Sequence, residues 1–380
     1  MPRATQLLVI GAGPYALSTA ALARERGVET IVIGHPMGFW RDNMPEQMFL
    51  RSGPDWHLDA TGVHTLDAYL QERAIAPADV DPIPIGLFVD YADWFREGKG
   101  IEAGEDLVAS LARSNGRFEA TLQSGARITA EVVVAAPGVR HFANVPDWAA
   151  SLAPDRAAHT CDRVRFEDLA GRRVLIIGGR QSAYEWAALA REAGAERIDL
   201  VHRHDVPRFA RVSWSFVDGH VEDTLRTPGW WRHLPAEEQR AIARRFWEVG
   251  RLTLEHWLTP RLQGPSVRRR PGTEVVEALS AGDDAVRVRL SDGERVEVDR
   301  VIFASGYRAD LARVPYLAGV IDGIDVVDGF PRLDETFGTS LDGLYVTGFA
   351  ATRDFGPFFG FVKAAPTAAA LIVANLLARG

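Results

Sequence analysis

One cysteine, Cys161, is all that the 380 residues contain, so neither an intramolecular disulfide nor a dithiol redox pair can form within the chain. Basic residues are in the minority: 43 Lys and Arg stand against 51 Asp and Glu, and a formal net charge of -8 argues against nucleic acid as a partner. Long apolar runs are scarce. The first is a strand-like stretch at 6–10 rather than a secretory signal, and the last, Ala364 to Ala378, is broken by Pro366 and short for a bilayer. A cytoplasmic protein with no membrane partner is the expectation. Metal chemistry is poorly served, since His202-x-His204 has no third ligand near it in sequence, and no metal is expected.

What the chain does have is one phosphate-binding turn written twice. Leu7-Leu8-Val9-Ile10 runs into Gly11-Ala12-Gly13-Pro14-Tyr15-Ala16, and Val174-Leu175-Ile176-Ile177 runs into Gly178-Gly179-Arg180-Gln181-Ser182-Ala183. Each is an apolar strand entering a tight turn ahead of an Ala-rich helical stretch. Gly11 and Gly178 permit the turn, a second glycine lets backbone N–H groups approach a pyrophosphate, and Ala16 or Ala183 lets the helix pack on the strand. The helix N-terminus then offers unpaired N–H groups to the phosphates. Two such turns suggest two dinucleotides in one protein, the arrangement that passes hydride from a nicotinamide to a flavin. Arg180 replaces the second glycine of the second copy and offers a guanidinium in its place.

Spacing repeats as well. Gly138, after Val132-Val133-Val134, lies 127 residues beyond Gly11, and Gly306, after Val301-Ile302-Phe303, lies 128 beyond Gly178. Hairpin signals precede both: Asn115-Gly116 and Ser124-Gly125 in one half, Asp283-Asp284 and Asp292-Gly293 in the other. The reading is an α/β chain with two Rossmann-like dinucleotide-binding domains, each carrying a β-meander. The first spans 1–165 and 307–380, the second 166–306. A helical insertion at about 212–262 interrupts the second and holds five of the ten tryptophans, Trp214, Trp230, Trp231, Trp247 and Trp257. It reads as short helices packed together or as a lid, a pocket wall or a homodimer contact. Pro235 is placed in the first turn of a helix running through Glu237, Ala241 and Phe246 to Glu248.

Ordered landmarks along nearly the whole chain resemble the class B flavin monooxygenases, the group of flavin-containing, N-hydroxylating and Baeyer–Villiger enzymes. They are Gly11-x-Gly13-x-x-Ala16, Gly38-Phe39-Trp40, Gln181-Ser182-Ala183 in the second turn, and Phe303-Ala304-Ser305-Gly306-Tyr307. The resemblance implies FAD at the first turn, with Gly11, Gly13, Pro14, Ala16, Trp40, Arg51, Gly138, Gly348, Gly360 and Phe361 as its contacts. It implies NADPH at the second, with Gly178, Gly179, Arg180, Gln181, Ser182, Arg203, His204, Gly306 and Tyr307. A C4a-(hydro)peroxyflavin formed with O2 would carry one oxygen atom to a small amine, sulfide or ketone. The chemistry is borne by the flavin, so no acid or base residue is named; Trp40, Arg51 and Tyr307 are the candidates beside the ring.

Arg203 stands just past a strand, where a basic residue meets the 2′-phosphate of NADPH, and His202, His204 and Arg208 add to the positive charge. Three landmarks depart from the family pattern. Gly34 occupies the end of the second strand, where an acidic residue binds the adenosine ribose. The linker keeps His159 but has Ala153, Asp155 and Arg163 in place of Phe, Gly and an aromatic residue, and Gly348-Phe349 replaces Gly-Asp. An NAD(P)H-dependent flavin oxidoreductase or oxidase that oxygenates nothing, and a nucleotide-binding protein without turnover, are the competing readings.

Overall fold

The computed structural model describes residues 3–281 and 285–379. The chain starts with β1 (Arg3–Ile10), α1 (Pro14–Glu25) and β2 (Thr30–Ile33), and α1 lays Ala16, Leu17, Ala20 and Ala23 onto the strands. Three helices follow, α2 (Gly38–Asp42), α3 (Leu66–Glu72) and α4 (Ile85–Gly98), then β3 (Ala103–Gly104) and the meander β4 (Val108–Ser114), β5 (Arg117–Leu122) and β6 (Arg127–Ala135). Asn115 and Gly116 turn the first hairpin, both at positive φ, as their sequence signal requires. In the sheet the order is β3-β2-β1-β6-β5-β4, with β1 parallel to β2 and to β6.

The second sheet reaches back across the expected boundary at 165. Its edge strand β7 (Ala157–His159) pairs with β16 (Arg300–Phe303), because the linker must run alongside that strand to reach the second turn. The others are β8 (Arg173–Ile177), followed by α5 (Gln181–Glu192), β9 (Arg197–His202) and β12 (Val267–Pro271), in the order β12-β9-β8-β16-β7, all parallel. Each sheet thus leaves a crevice beyond the strand ends, between β1 and β6 in one and between β8 and β16 in the other.

The insertion leaves after β10 (Arg208–Phe209) and returns at β11 (Thr253–Leu254), which pair in parallel and close its base. Between them lie α6 (Asp218–Arg226), α7 (Trp230–His233) and α8 (Ala236–Gly250), with α9 (Leu258–Arg261) after β11. The second meander, β13 (Val275–Ala281), β14 (Ala285–Leu290) and β15 (Arg295–Val298), forms its own antiparallel sheet, and Val286, Val288 and Leu290 pack on Leu175, Val201 and Phe303. The Asp283-Asp284 turn expected there lies outside the described residues.

A small hairpin, β17 (Val326–Val327) and β18 (Phe330–Pro331), precedes β19 (Leu344–Val346), which returns to the first sheet beside β6. The chain ends in α10 (Thr352–Phe355) and α11 (Ala365–Arg379). By length and composition, Val362–Arg379 is apolar enough to cross a membrane, contrary to the expectation that it is too short. Its packing is that of a core helix: half of that stretch is buried, with Ala365, Ala368, Ala369 and Ile372 in the core, and α11 lies along α1.

Candidate functional site

Both turns are locked by backbone contact. Gly11 has φ +116, and a Cβ there would lie 2.5 Å from the Ala136 carbonyl oxygen; Gly178 has φ +142, and its Cβ would lie 2.3 Å from that of Ala304. No side chain fits either position, and each glycine thereby joins its turn to the strand across the crevice. The helices that follow begin bare. Neither α1 nor α5 has a side-chain cap or an acidic residue in its first turn, so their N-terminal N–H groups have no capping partner among the described residues. A Cβ on Gly13 would meet nothing within 4 Å, which leaves open space in front of α1. These features fit a dinucleotide pyrophosphate at each turn.

Gly34 has a physical reason. With φ +155, its Cβ would stand 2.8 Å from the backbone N of Ala12, so β2 ends pressed against the first turn and no carboxylate can project there. Gly138 and Gly348 both take positive φ around the same crevice, and Gly348 faces the Tyr15 ring. Tyr15, which sequence reasoning did not single out, holds this side together: its hydroxyl lies between the carbonyl oxygens of Phe359 and Phe361, 2.8 Å from the latter. Burial raises the Tyr15 pKa well above the ordinary phenol value. The 357–361 loop, with exposed Gly360 and half-buried Phe361, is thereby fixed against the start of α1.

Trp40 and Arg51 are turned to other work. Trp40 packs on Phe88 with ring centroids 4.9 Å apart. Arg51 reaches into the insertion, donating to Glu255 (3.0 Å) and to the carbonyls of Gly250 (2.6 Å) and Thr253 (2.9 Å), above the Trp214 ring. Burial lowers its pKa and Glu255 partly restores it. Tyr307 stands where the two linkers cross: its ring meets His159 (5.1 Å) and Phe39 (6.3 Å) edge-on, and Gly306 O lies 3.0 Å from His159 Nε2. Burial and the neighbouring Cys161 drive its hydroxyl pKa far up, and burial also raises the Cys161 thiol, so neither is a ready nucleophile.

At the second turn Arg180 lies 3.7 Å over the Trp247 ring of α8, and Arg203 is exposed with no carboxylate partner among the described residues. His202 does not add positive charge as expected. It is buried, its Nε2 lies 3.0 Å from the Tyr184 hydroxyl, and burial lowers its pKa, which keeps it neutral at pH 7. His204 stacks on it. Gln181 accepts from the Glu255 N–H through Oε1 (3.1 Å), and Ser182 is exposed. Glu185, also missed, is fully buried one turn into α5; it accepts from Phe49 N–H, and its other oxygen has no hydrogen-bond partner among the described residues. Desolvation pushes its carboxyl up to about 7, against the pull of Phe49, Arg261, Gln181 and Arg51.

Known proteins share this architecture. Residues 5–243 match the family described as pyridine nucleotide-disulphide oxidoreductase. The FAD-dependent urate hydroxylase of Xanthomonas campestris pv. campestris is 30% identical over 218 residues, 53% of this chain and 46% of that protein, so the match spans about half of the relative's length. The indole-3-pyruvate monooxygenase of Oryza sativa subsp. japonica is 24% identical over 90% of this chain and 86% of its own. Among solved structures, the ornithine N-hydroxylase of Kutzneria sp. 744, with reduced FAD, NADP+ and L-ornithine, superposes with a TM-score of 0.81 at 16% identity, covering 99% of both chains. Only one cysteine is present, so the disulphide chemistry in the family's description has no dithiol here. The chain belongs to the pyridine nucleotide-disulphide oxidoreductase family, and its fold is shared over its whole length with the Kutzneria ornithine N-hydroxylase.

Proposed function

We propose that the chain is an FAD- and NADPH-dependent monooxygenase that places one atom of O2 on a small amine, sulfide or ketone in the cytoplasm. The observation that carries this reading is the pair of bare helix N-termini, each behind a glycine that no other residue can replace. When bound, FAD reduced by NADPH supplies the oxygen-activating chemistry. The chain's residues bind, orient and exclude water.

Residues 1–165 and 307–380 form the FAD-binding unit, lending Ala157–His159 to the sheet of 166–306. Gly11, Gly13, Pro14 and Ala16 bring the first pyrophosphate onto α1, and Gly138, Gly348 and the 357–361 loop line its flank. Gly178, Gly179, Gln181 and Ser182 do the same on α5, where Arg180 supplies charge and Arg203 with His204 meets the 2′-phosphate. Gly306 and Tyr307 fix the linkers between the units. Trp214, Phe246 and Phe361 pack their rings at 5.3–5.6 Å and form an apolar wall that keeps water from the crevice between the turns.

The test is turnover of FAD-loaded protein with NADPH under 18O2 across a panel of amines, sulfides and ketones. One labelled oxygen in the product, with substrate-dependent NADPH consumption, is the expected result. Stoichiometric hydrogen peroxide with unlabelled product at every substrate concentration would overturn oxygenation in favour of an oxidase. Failure of NADPH to bleach the bound flavin anaerobically would leave a binding protein.

A further inference from the structure

One cation on the insertion is used by none of these roles. Arg251 follows the last residue of α8 and is half-buried, and its side chain has no hydrogen-bond or ion-pair partner among the described residues. Its charged neighbours are cations. Desolvation, then Arg180 and Arg51, pull its pKa down to about 10. Arg51 is already answered by Glu255 and two carbonyls, whereas among the described residues Arg180 has only the Trp247 face. Arg180 in turn feels Arg203. Among the described residues, Arg203, Arg180 and Arg251 are therefore three charges with no anion against them, reaching from the end of β9 across the second turn to the 357–361 loop of the first unit.

The two ends of that row serve different surroundings. Arg203 and Arg180 belong to the second turn, where a nucleotide's phosphates go. Arg251 lies 5.9 Å from the Phe361 ring, and Phe361 is itself in contact with Trp214 (5.3 Å), Phe246 (5.3 Å) and Trp56 (6.2 Å). A guanidinium partly drawn out of water without an anion is disfavoured there. Set against an aromatic wall, it recognises a planar anion attached to an apolar body: two N–H groups take a carboxylate side by side, and the rings take the rest.

We propose that Arg251 binds the substrate's carboxylate, so that the molecule oxygenated is a small aromatic or apolar compound bearing one carboxylate. This rests on reading the crevice between the two turns as the reaction site, but its test needs no turnover. Benzoate, phenylacetate and 3-phenylpropionate, each beside its neutral amide, are titrated into FAD-loaded protein saturated with NADP+, following tryptophan fluorescence. At least one acid is expected to bind about tenfold tighter than its amide in the wild type. Arg251→Gln removes that preference, Arg251→Lys restores part of it, and NADP+ affinity stays within about twofold in both. Because the charge is unanswered in the free protein, Arg251→Gln also raises the melting temperature without ligand.

Three outcomes overturn the proposal. The wild type binds no acid better than its amide; Arg251→Gln leaves the acid affinity unchanged; or it weakens NADP+ as much as the acid, which would assign the charge to the nicotinamide nucleotide. None of these results depends on whether the 18O label reaches a product, so the two readings fail separately.

Discussion

At the first turn, Ala12 carries a side chain and Gly34, at the end of the neighbouring strand, is bare; at the second turn the assignment is reversed. There Gly179 is bare and His202 carries the ring, and a Cβ on Gly179 would stand 2.5 Å from the His202 Cγ. Strand register makes the pairs equivalent, since Gly11 N–H donates to Ile33 O and Gly178 N–H to Val201 O, the residues just before Gly34 and His202. The contact between turn and strand end tolerates one side chain, and either partner can hold it. What both halves share is the glycine one step earlier.

That shared lock gives the largest expected effect. Gly178→Ala must move the backbone off φ +142 and away from Ala304 O, and Gly11→Ala faces the same demand against Ala136 O. Each is expected to destabilise the protein by about 3 kcal/mol or more and to yield protein that does not retain dinucleotide. Gly13→Ala, by contrast, meets open space and changes stability by about 0.5 kcal/mol or less, while its methyl intrudes on the pyrophosphate. Urea midpoints and FAD content after gel filtration separate the two classes. Equal stability losses at Gly11 and Gly13 would break the distinction between lock and cradle.

The side-chain swap can be tested by a double-mutant cycle. Gly179→Ala in the wild type forces a methyl into His202 and is expected to cost about 2 kcal/mol. Added to His202→Gly, which recreates the first half's arrangement and leaves only the tip of the His204 ring, 2.7 Å away, to swing aside, the same change costs about 1 kcal/mol or less. A cycle that closes without coupling would mean the equivalence is only apparent.

Position seven after the first glycine sharpens the contrast. Ser18 and Glu185 are both fully buried, and each has an oxygen without a hydrogen-bond partner among the described residues, but only the second can ionise. Desolvation lifts the Glu185 carboxyl from the ordinary 4.5 to about 7, so the unfolded chain loses this proton first as pH rises. Stability held below about pH 4.5 is lost through the window up to about pH 7 and then levels off. Glu185→Gln removes that fall and leaves the variant about 1–3 kcal/mol more stable than wild type above the window. Ser18→Ala should show no pH dependence of its own. Parallel stability profiles for Glu185→Gln and wild type would place the charge elsewhere.

The turns, their spacing and the insertion were legible in sequence because each rests on local rules: a glycine forced by φ, an apolar strand, a hairpin dipeptide. Asn115-Gly116 behaves as its local signal requires, whereas Pro235 stands at the N-cap of α8, one residue before the first turn in which it was expected. The destinations of Arg51 and Trp40 were not legible, because they depend on partners 204 and 48 residues away in the chain, Glu255 and Phe88. Gly34 read as a missing ribose contact because its real constraint, the backbone of Ala12, is a tertiary one. Arg251 carried no motif at all; its interest comes entirely from the absence of an anion around it among the described residues.

The smallest expected effect lies four residues past each first glycine, where the halves share nothing. Tyr15 offers its hydroxyl to the carbonyls of Phe359 and Phe361, whereas Ser182 is exposed and makes no side-chain hydrogen bond among the described residues. A phenol hydrogen serves one carbonyl at a time, so Tyr15→Phe loses one net hydrogen bond and leaves the Phe359 carbonyl to find water, while the Phe361 carbonyl keeps the Ala364 N–H. The expected cost is about 1 kcal/mol, and Ser182→Ala should cost about 0.5 kcal/mol or less. The more telling readout is local. The hydroxyl ties the 357–361 loop to α1, so backbone amides of that loop should exchange faster in Tyr15→Phe while those of β1 do not change. FAD release should quicken in the same variant, because one flank of the first crevice is no longer fixed. If loop exchange and FAD release are both unaltered, the loop is held by the packing of Phe358 and Phe359 alone, and the first unit has no tether that the second lacks.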